Sequence, residues 1–273
     1  MWIDTHCHLD AAEFADDEET IVASAVQQQV SWIVIPAIAR FNFETVAHLA
    51  GQYPHCVYAL GIHPILVPQA QDDDLRVLRE TVAAAMGDPR FVAIGEIGLD
   101  FFVPSLKTKA MREKQEYFYS EQLKIARDFG LPVLLHVRRS QDIVLKYLRR
   151  IAVPGGIAHA FNGSFQQAQF FIDLGFKLGF GGAMTFTRAL QIRRLAIDLP
   201  ETSIVLETDA PDIAPAWLHP QRNSPDQLPQ IGATLSALRG IEPNAAAKFT
   251  TENAYAALPR LAALAGWTQA GRA

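Results

Sequence analysis

The sequence predicts an α/β protein with a parallel sheet, a (β/α)8 TIM barrel. Eight short apolar, β-branched runs alternate with longer stretches of helical period, which is the signature of repeated βα units. The runs are nearly continuous in hydrophobicity, as strands covered on both faces must be. The 273-residue length also suits a fold of roughly 250 residues in one domain. An open doubly wound sheet would need a glycine-rich phosphate loop after its first strand, and "CHLDAAEFADD" carries none.

The strand candidates are "WIDTHCH" (2–8), "SWIVIPA" (31–37), "CVYALGIHP" (56–64) and "FVAIGEIGLD" (91–100). "PVLLHV" (132–137), "GIAHAF" (156–161), "KLGFGGAMTF" (177–186) and "SIVLETDAP" (203–211) complete the eight. Helical patterns lie between them at 16–29, 73–86, 113–130, 141–150, 164–175 and 189–199. The 113–130 helix shows an apolar stripe of Tyr117, Leu123 and Ala126, widened by Phe118 and Ile125. Gly130 and Pro132 then act as its stop signals. Residues 243–264 read as helices packed outside the barrel after the eighth strand. No linker or low-complexity segment divides the chain, so residues 1–273 form one barrel domain with C-terminal helices.

A chain that is 49% hydrophobic and 19% charged can bury a large core. Its net charge of −5 excludes a protein that coats nucleic acid electrostatically. An enzyme acting on nucleic acid is not excluded, because bound cations supply positive charge locally. Cys7 and Cys56 are too few for a disulfide framework. With no leader and no apolar run of membrane-spanning length, the expected location is a reducing cytoplasm, without membrane partners.

The polar residues that interrupt these runs fall at strand C-termini. His6 and His8 end the first, Glu96 lies late in the fourth, His136 ends the fifth, His159 the sixth and Asp209 the eighth. In a barrel these ends form one rim, where the chemistry of such folds is placed. Residues i and i+2 of a strand share a face, so His6 and His8 point to one spot while Cys7 faces the helices. A lone strand-end histidine is usually hydrogen-bonded structure. Six nitrogen and oxygen ligands at one edge favour metal, and four histidines with two acids exceed the needs of a single catalytic zinc. The expected cofactors are therefore two divalent ions. His6, His8, Glu96 and Asp209 would hold one, and Glu96, His136 and His159 the other, with Glu96 bridging. Mixed imidazole and carboxylate ligation suits Zn or Mn, and Mg less well.

Asp209 is also assigned as general base, and Asp209 and Glu96 are the two candidate catalytic residues. Arg138 follows His136 by two, on the same side of the strand, and suits a phosphate oxygen. His63 of "GIHP" and Asn162 of "HAFNGS" are candidate substrate contacts. Arg139 is expected to face outward into a salt bridge, Glu207 to orient a ligand or pair with a buried charge, and Asp100 to position or cap a loop.

The motifs "IDTHCHLD", "GIHP", "AIGEIGLD", "LPVLLHVRRS", "GIAHAFNGS", "LGFGGAMTF" and "VLETDAPDIAP" followed by "RNSP" together resemble the TatD family of metal-dependent hydrolases, which are amidohydrolase-like barrels. "TTENAYAAL" (250–258) is similar to that family's closing helix. The resemblance implies a divalent-metal-dependent deoxyribonuclease, exonuclease-like with 3'-5' polarity, that cleaves phosphodiesters of DNA or oligonucleotides. It implies metal roles for His6, His8, Glu96, His136, His159 and Asp209. Three departures fall in the substrate region: Ile65 stands where members often have a second histidine, Asn162 where they often have serine, and "HVRR" replaces "HSR". The acidic chain favours single-stranded substrates or ends over duplex. Two rivals are hydrolysis of a carbonyl centre (a cyclic amide, lactone or aminoacyl ester) and a scaffold that keeps the barrel without catalysis. "FVAIGEIGLD" lacks the bridging lysine common in carbonyl hydrolases of this fold, and the complete ligand set speaks against a scaffold.

Overall fold

The computed structural model describes residues 1–268. Strands β1 (Trp2–Asp4), β2 (Val30–Pro36), β3 (Cys56–Leu60), β4 (Phe91–Asp100), β5 (Val133–Arg138), β6 (Gly156–Ala158), β7 (Phe176–Phe180) and β8 (Ile204–Leu206) pair in parallel, in sequence order. The β8–β1 seam is joined just past the regular strand ends. Thr5 N donates to Leu206 O (3.2 Å), Asp209 N to His6 O (2.8 Å) and His8 N to Ala210 O (2.8 Å). The expected barrel is present.

Helices α1 (Glu18–Gln27), α2 (Phe43–Gln52), α3 (Asp72–Ala85), α4 (Lys109–Phe129), α5 (Gln141–Leu148), α6 (Phe165–Asp173) and α7 (Leu190–Asp198) lie between the strands. α8 (Leu228–Arg239), α9 (Pro243–Ala257) and α10 (Pro259–Leu264) follow β8. Helix α4 shows the local logic. Thr108 caps its start by accepting from Met111 N, and Gly130, at φ 65°, ends it in the left-handed conformation that glycine adopts freely. Phe118, Tyr119, Leu123, Ile125 and Ala126 form its buried face, whereas Tyr117 of the expected stripe is exposed. Two buried glutamines on this face bind rim loops. Gln122 holds both backbone groups of Ile62, and Gln115 accepts from Asp100 N and donates to Leu106 O.

The apolar side chains separate into two layers. Alternate residues such as Ile33, Ile35, Val133, Leu135, Leu178 and Leu206 pack outward on the helices, with Cys7 among them. Ile3, Val34, Val57, Leu134, Ile157 and Val205 form a separate inner cluster with Leu258 and Leu261. The C-terminal segment thus does not lie on the outside, as its sequence suggests. It covers the N-terminal mouth of the barrel. Asn253 Nδ2 donates to Glu201 O and Ile204 O near the start of β8, and Arg260 donates to Phe91 O, Met86 O and Asp88 O at the start of β4. Burying each such leucine is worth about 1.5–3 kcal/mol, and the barrel interior supplies apolar surface that an outer position would not.

A second departure concerns the first strand. β1 stops at Asp4, not His8. The buried Asp4 carboxylate accepts from His6 N, Thr208 N and Thr208 Oγ1, fixing a bend at Thr5. Ile3 belongs to the inner cluster, so an unbroken strand would carry Thr5 inward and His6 outward. The bend resets this alternation and brings His6 and His8 to the mouth.

Candidate metal centre

Glu96 stands at the centre of the C-terminal mouth, 1% exposed, with five imidazole nitrogens around its two oxygens. Its Oε2 lies 3.1 Å from His6 Nε2 and 3.5 Å from His8 Nε2. Its Oε1 lies 2.9 Å from His136 Nδ1, 3.0 Å from His159 Nε2 and 3.3 Å from His63 Nε2. On the Oε2 side, His6 Nε2 and His8 Nε2 are 3.3 Å apart and Asp209 Oδ1 is 3.7 Å from each. Donor atoms bound to one ion at about 2.0–2.2 Å sit about 3.3–3.6 Å from one another in a tetrahedral shell and about 2.8–3.1 Å in an octahedral one. These spacings therefore match the edges of a coordination polyhedron. His6, His8 and Asp209 form one group able to hold an ion, and His6, Glu96 and His159, or His63, Glu96 and His136, form others.

Neighbouring hydrogen bonds sort these histidines. His136 places Nε2 3.1 Å from Asp100 Oδ2, which fixes its proton there and leaves the Nδ1 lone pair facing Glu96. His159 turns Nδ1 towards Glu207 Oε1, 3.7 Å away, and Nε2 towards the centre. His63 is different. Its Nδ1 accepts from Ile65 N (3.0 Å), so the neutral ring carries its proton on Nε2, aimed into the site as a donor. By distance His63 belongs with Glu96 and His136, but its tautomer makes it a hydrogen-bond donor to an anionic oxygen. That agrees better with the substrate contact expected from "GIHP".

The electrostatics divide the rings around one carboxylate: burial lowers His6 and His63, whereas at His8, His136 and His159 burial is outweighed by the neighbouring acids, which raise His8 to about 9 and the other two above the usual imidazole value. Burial, with the charge of His159, pulls His6 down to about 3, and burial pulls His63 down to about 4. Burial works against ionising Glu96, yet the surrounding imidazoles outweigh it and hold its pKa well below the usual range. Asp209 is pushed up to about 6 by burial, opposed by His159 and His8. Imidazole ligates a cation only in its neutral form, so an ion bound here would displace protons from His8, His136 and His159.

Supporting groups come from the adjoining strands. Asp100 positions a loop as expected, Oδ1 accepting from Phe102 N (2.7 Å) and Val103 N (3.0 Å) after β4, and its Oδ2 also holds His136, a role not expected from sequence. Glu207 is buried beside His159 and accepts from Ala160 N. It occupies the space left by Gly179, where a Cβ would come within 2.5 Å of its Cδ. Buried polar atoms without partners, His6 Nδ1, His159 Nδ1 and Glu207 Oε2, cluster here.

The centre opens into a cleft of about 880 Å³. Arg138 and Asn162 line it as expected, both partly open to solvent. Arg139 does not face outward into a salt bridge. Its backbone is left-handed (φ 55°), which turns the side chain back to the cleft, where its guanidinium lies 4.7 Å from the Phe102 ring centre. Arg138 stacks 3.9 Å from the same ring. Phe102 and Asp10 also line the cleft and were missed from sequence. Asp10 Oδ2 accepts from Asn42 Nδ2 (2.7 Å), while its Oδ1 is buried without a partner.

With this geometry in view, the comparisons with known proteins agree. Residues 3–259 match the family described as TatD related DNase. The chain is 39% identical over 255 residues to the metal-dependent hydrolase YjjV of Escherichia coli K12, a match covering 93% of this chain and 96% of that one. The crystal structure of the same E. coli K12 protein superposes with a TM-score of 0.89 at 38% identity, covering 94% of this chain and 98% of that one. The 3'-5' ssDNA/RNA exonuclease TatD of Salmonella typhimurium is 31% identical over 258 residues, covering 92% of this chain and 96% of its own. The imidazole-ringed glutamate at the barrel mouth is the candidate centre of a metal-dependent hydrolase, and the chain belongs to the TatD family.

Proposed function

We propose that the protein is a two-metal phosphodiesterase, a deoxyribonuclease that removes nucleotides from single-stranded ends with 3'-5' polarity. The observation that carries this reading is the division of Glu96: one oxygen faces His6 and His8, the other His136 and His159. His6, His8, Asp209 and Glu96 would hold one divalent ion, and Glu96, His136 and His159 the other, Zn or Mn fitting this imidazole-rich set better than Mg. Bound there, the pair supplies Lewis acidity at phosphorus and a water acidic enough to attack at neutral pH. The name of the Salmonella relative supports the choice of nucleic acid.

The chain's own groups complete the reaction. Asp209 is placed to accept the proton of the attacking water and pass it on. His63 donates Nε2–H to a phosphate oxygen, and Arg138, stacked on Phe102, meets a non-bridging oxygen. Asn162 contacts the leaving nucleotide from the rim. A cytoplasmic setting suits the two free, buried thiols of Cys7 and Cys56. Among the described residues, no helix is long and apolar enough to cross a membrane.

The test is to incubate metal-loaded protein with labelled single-stranded DNA, RNA, and a panel of amides and lactones. Release of mononucleotides that disappears in both His136→Ala and Asp209→Asn is expected. Turnover of amides or lactones in place of nucleic acid, or cleavage unchanged in both variants, would contradict it.

A further inference from the structure

We propose that Arg139, braced with Arg138 on Phe102, forms a subsite for the phosphate next to the scissile one, on one side only. This inference rests on the phosphodiesterase reading. A β-strand continued past Arg138 would send Arg139 into the helix layer, and the left-handed backbone at Arg139 prevents that. Two consecutive guanidiniums consequently meet one aromatic ring, at 3.9 and 4.7 Å from its centre, with Lys107 Nζ at 5.9 Å. Like charges gathered this way repel unless an anion joins them. Their own protein offers little: the nearest carboxylate to Arg138 is Asp100, 3.9 Å away, and among the described residues no ion pair to Arg139 is formed within 4.0 Å. Phe102 is 38% exposed and holds the Arg138 guanidinium over its ring by a contact that uses none of its N–H donors.

The opposite wall carries the opposite sign. Asp10 and Glu13, after β1, and Asp212, after β8, also line the cleft. In an eight-strand barrel closed in sequence order, strands 8 and 1 lie across from strands 4 and 5. A phosphodiester chain seated at Glu96 can therefore extend a phosphate towards Arg139. A phosphate on the other side of the scissile bond would meet three carboxylates. One favoured and one disfavoured direction is the electrostatic form of a site for strand ends.

The experiment uses metal-loaded protein and three probes: thymidylyl-thymidine, with its single phosphodiester, and the same dinucleotide phosphorylated on its free 5'- or 3'-hydroxyl. One added phosphate is expected to raise kcat/KM about tenfold or more, the scale of a charge-assisted hydrogen-bonded pair, and the other to lower it. Arg139→Met is expected to bring the gain down to about twofold or less, with Arg139→Lys between the two. Equal effects of the two added phosphates, or an undiminished gain in Arg139→Met, would overturn the subsite. If no probe is cleaved, the phosphodiesterase reading fails separately. The ratio of equilibrium affinities for the three probes then decides the subsite: an asymmetry lost in Arg139→Met supports it, and equal affinities refute it.

Discussion

The two mouths of this barrel are closed by opposite chemistries. At the N-terminal mouth, Leu258 and Leu261 plug the interior against Ile3, Val57 and Val205, and Asn253 and Arg260 beside them donate to backbone carbonyls. At the C-terminal mouth, the same strands end in His136, His159 and Glu207, and several buried ring nitrogens and carboxylate oxygens lack protein partners. Leu134 and His136 are two residues apart on one strand, as are Ile157 and His159. A step of two keeps the side chain facing inward and moves it from the apolar plug towards solvent. Stability and chemistry thus share strands without sharing residues.

Substitutions at the two ends should therefore fail differently. The largest effect is expected for Glu96→Gln, which takes the shared carboxylate from both ligand groups: bound metal and activity are lost together, measured by elemental analysis and turnover. Asp209→Asn follows, lowering kcat by about 10²–10⁴-fold, the range for a lost general base, with the thermal midpoint of the metal-free protein close to wild type. At the other mouth, Leu258→Ala should cost about 2–5 kcal/mol in denaturant unfolding, while the folded fraction keeps its metal and its kcat. Asp100→Asn should weaken metal affinity by about 10–100-fold, because His136 loses the acceptor that fixes its proton. Asn162→Ala is the smallest, an increase in KM of about threefold without change in kcat, in keeping with one exposed contact. Loss of metal in Leu258→Ala at equal folded fraction, or global unfolding in Asp209→Asn, would break the separation.

Most of this division was legible because it depends on strand position. Of the candidate ligands, His136, His159 and Asp209 sit where an inward-facing residue emerges at the rim, and a period of two from Leu134, Ile157 and Val205 finds them. The misreadings came where the backbone leaves that period. His6 and His8 reach the site through a bend pinned by Asp4, not through a longer strand. Arg139 was placed outward by alternation and is turned inward by its own φ. His63 lies beyond the end of β3, and its role depends on which nitrogen accepts from Ile65 N, which sequence does not encode locally. The tail reads as lying outside because it follows the eighth strand, and nothing local in it says which surface its buried residues meet. Helix α8 was not recognised: Pro229 and Gly232 weaken its pattern, yet Pro229 occupies a first-turn position and Gly232 makes room for the Trp2 ring.

The shared role of Glu96 is tested most directly by anomalous diffraction from crystals grown with Mn²⁺ or Zn²⁺. Two peaks about 3.5–4 Å apart are expected, one beside His6 and His8, the other beside His136 and His159, each within bonding distance of a different Glu96 oxygen. A single peak, or ions that leave Glu96 uncoordinated, would contradict that role.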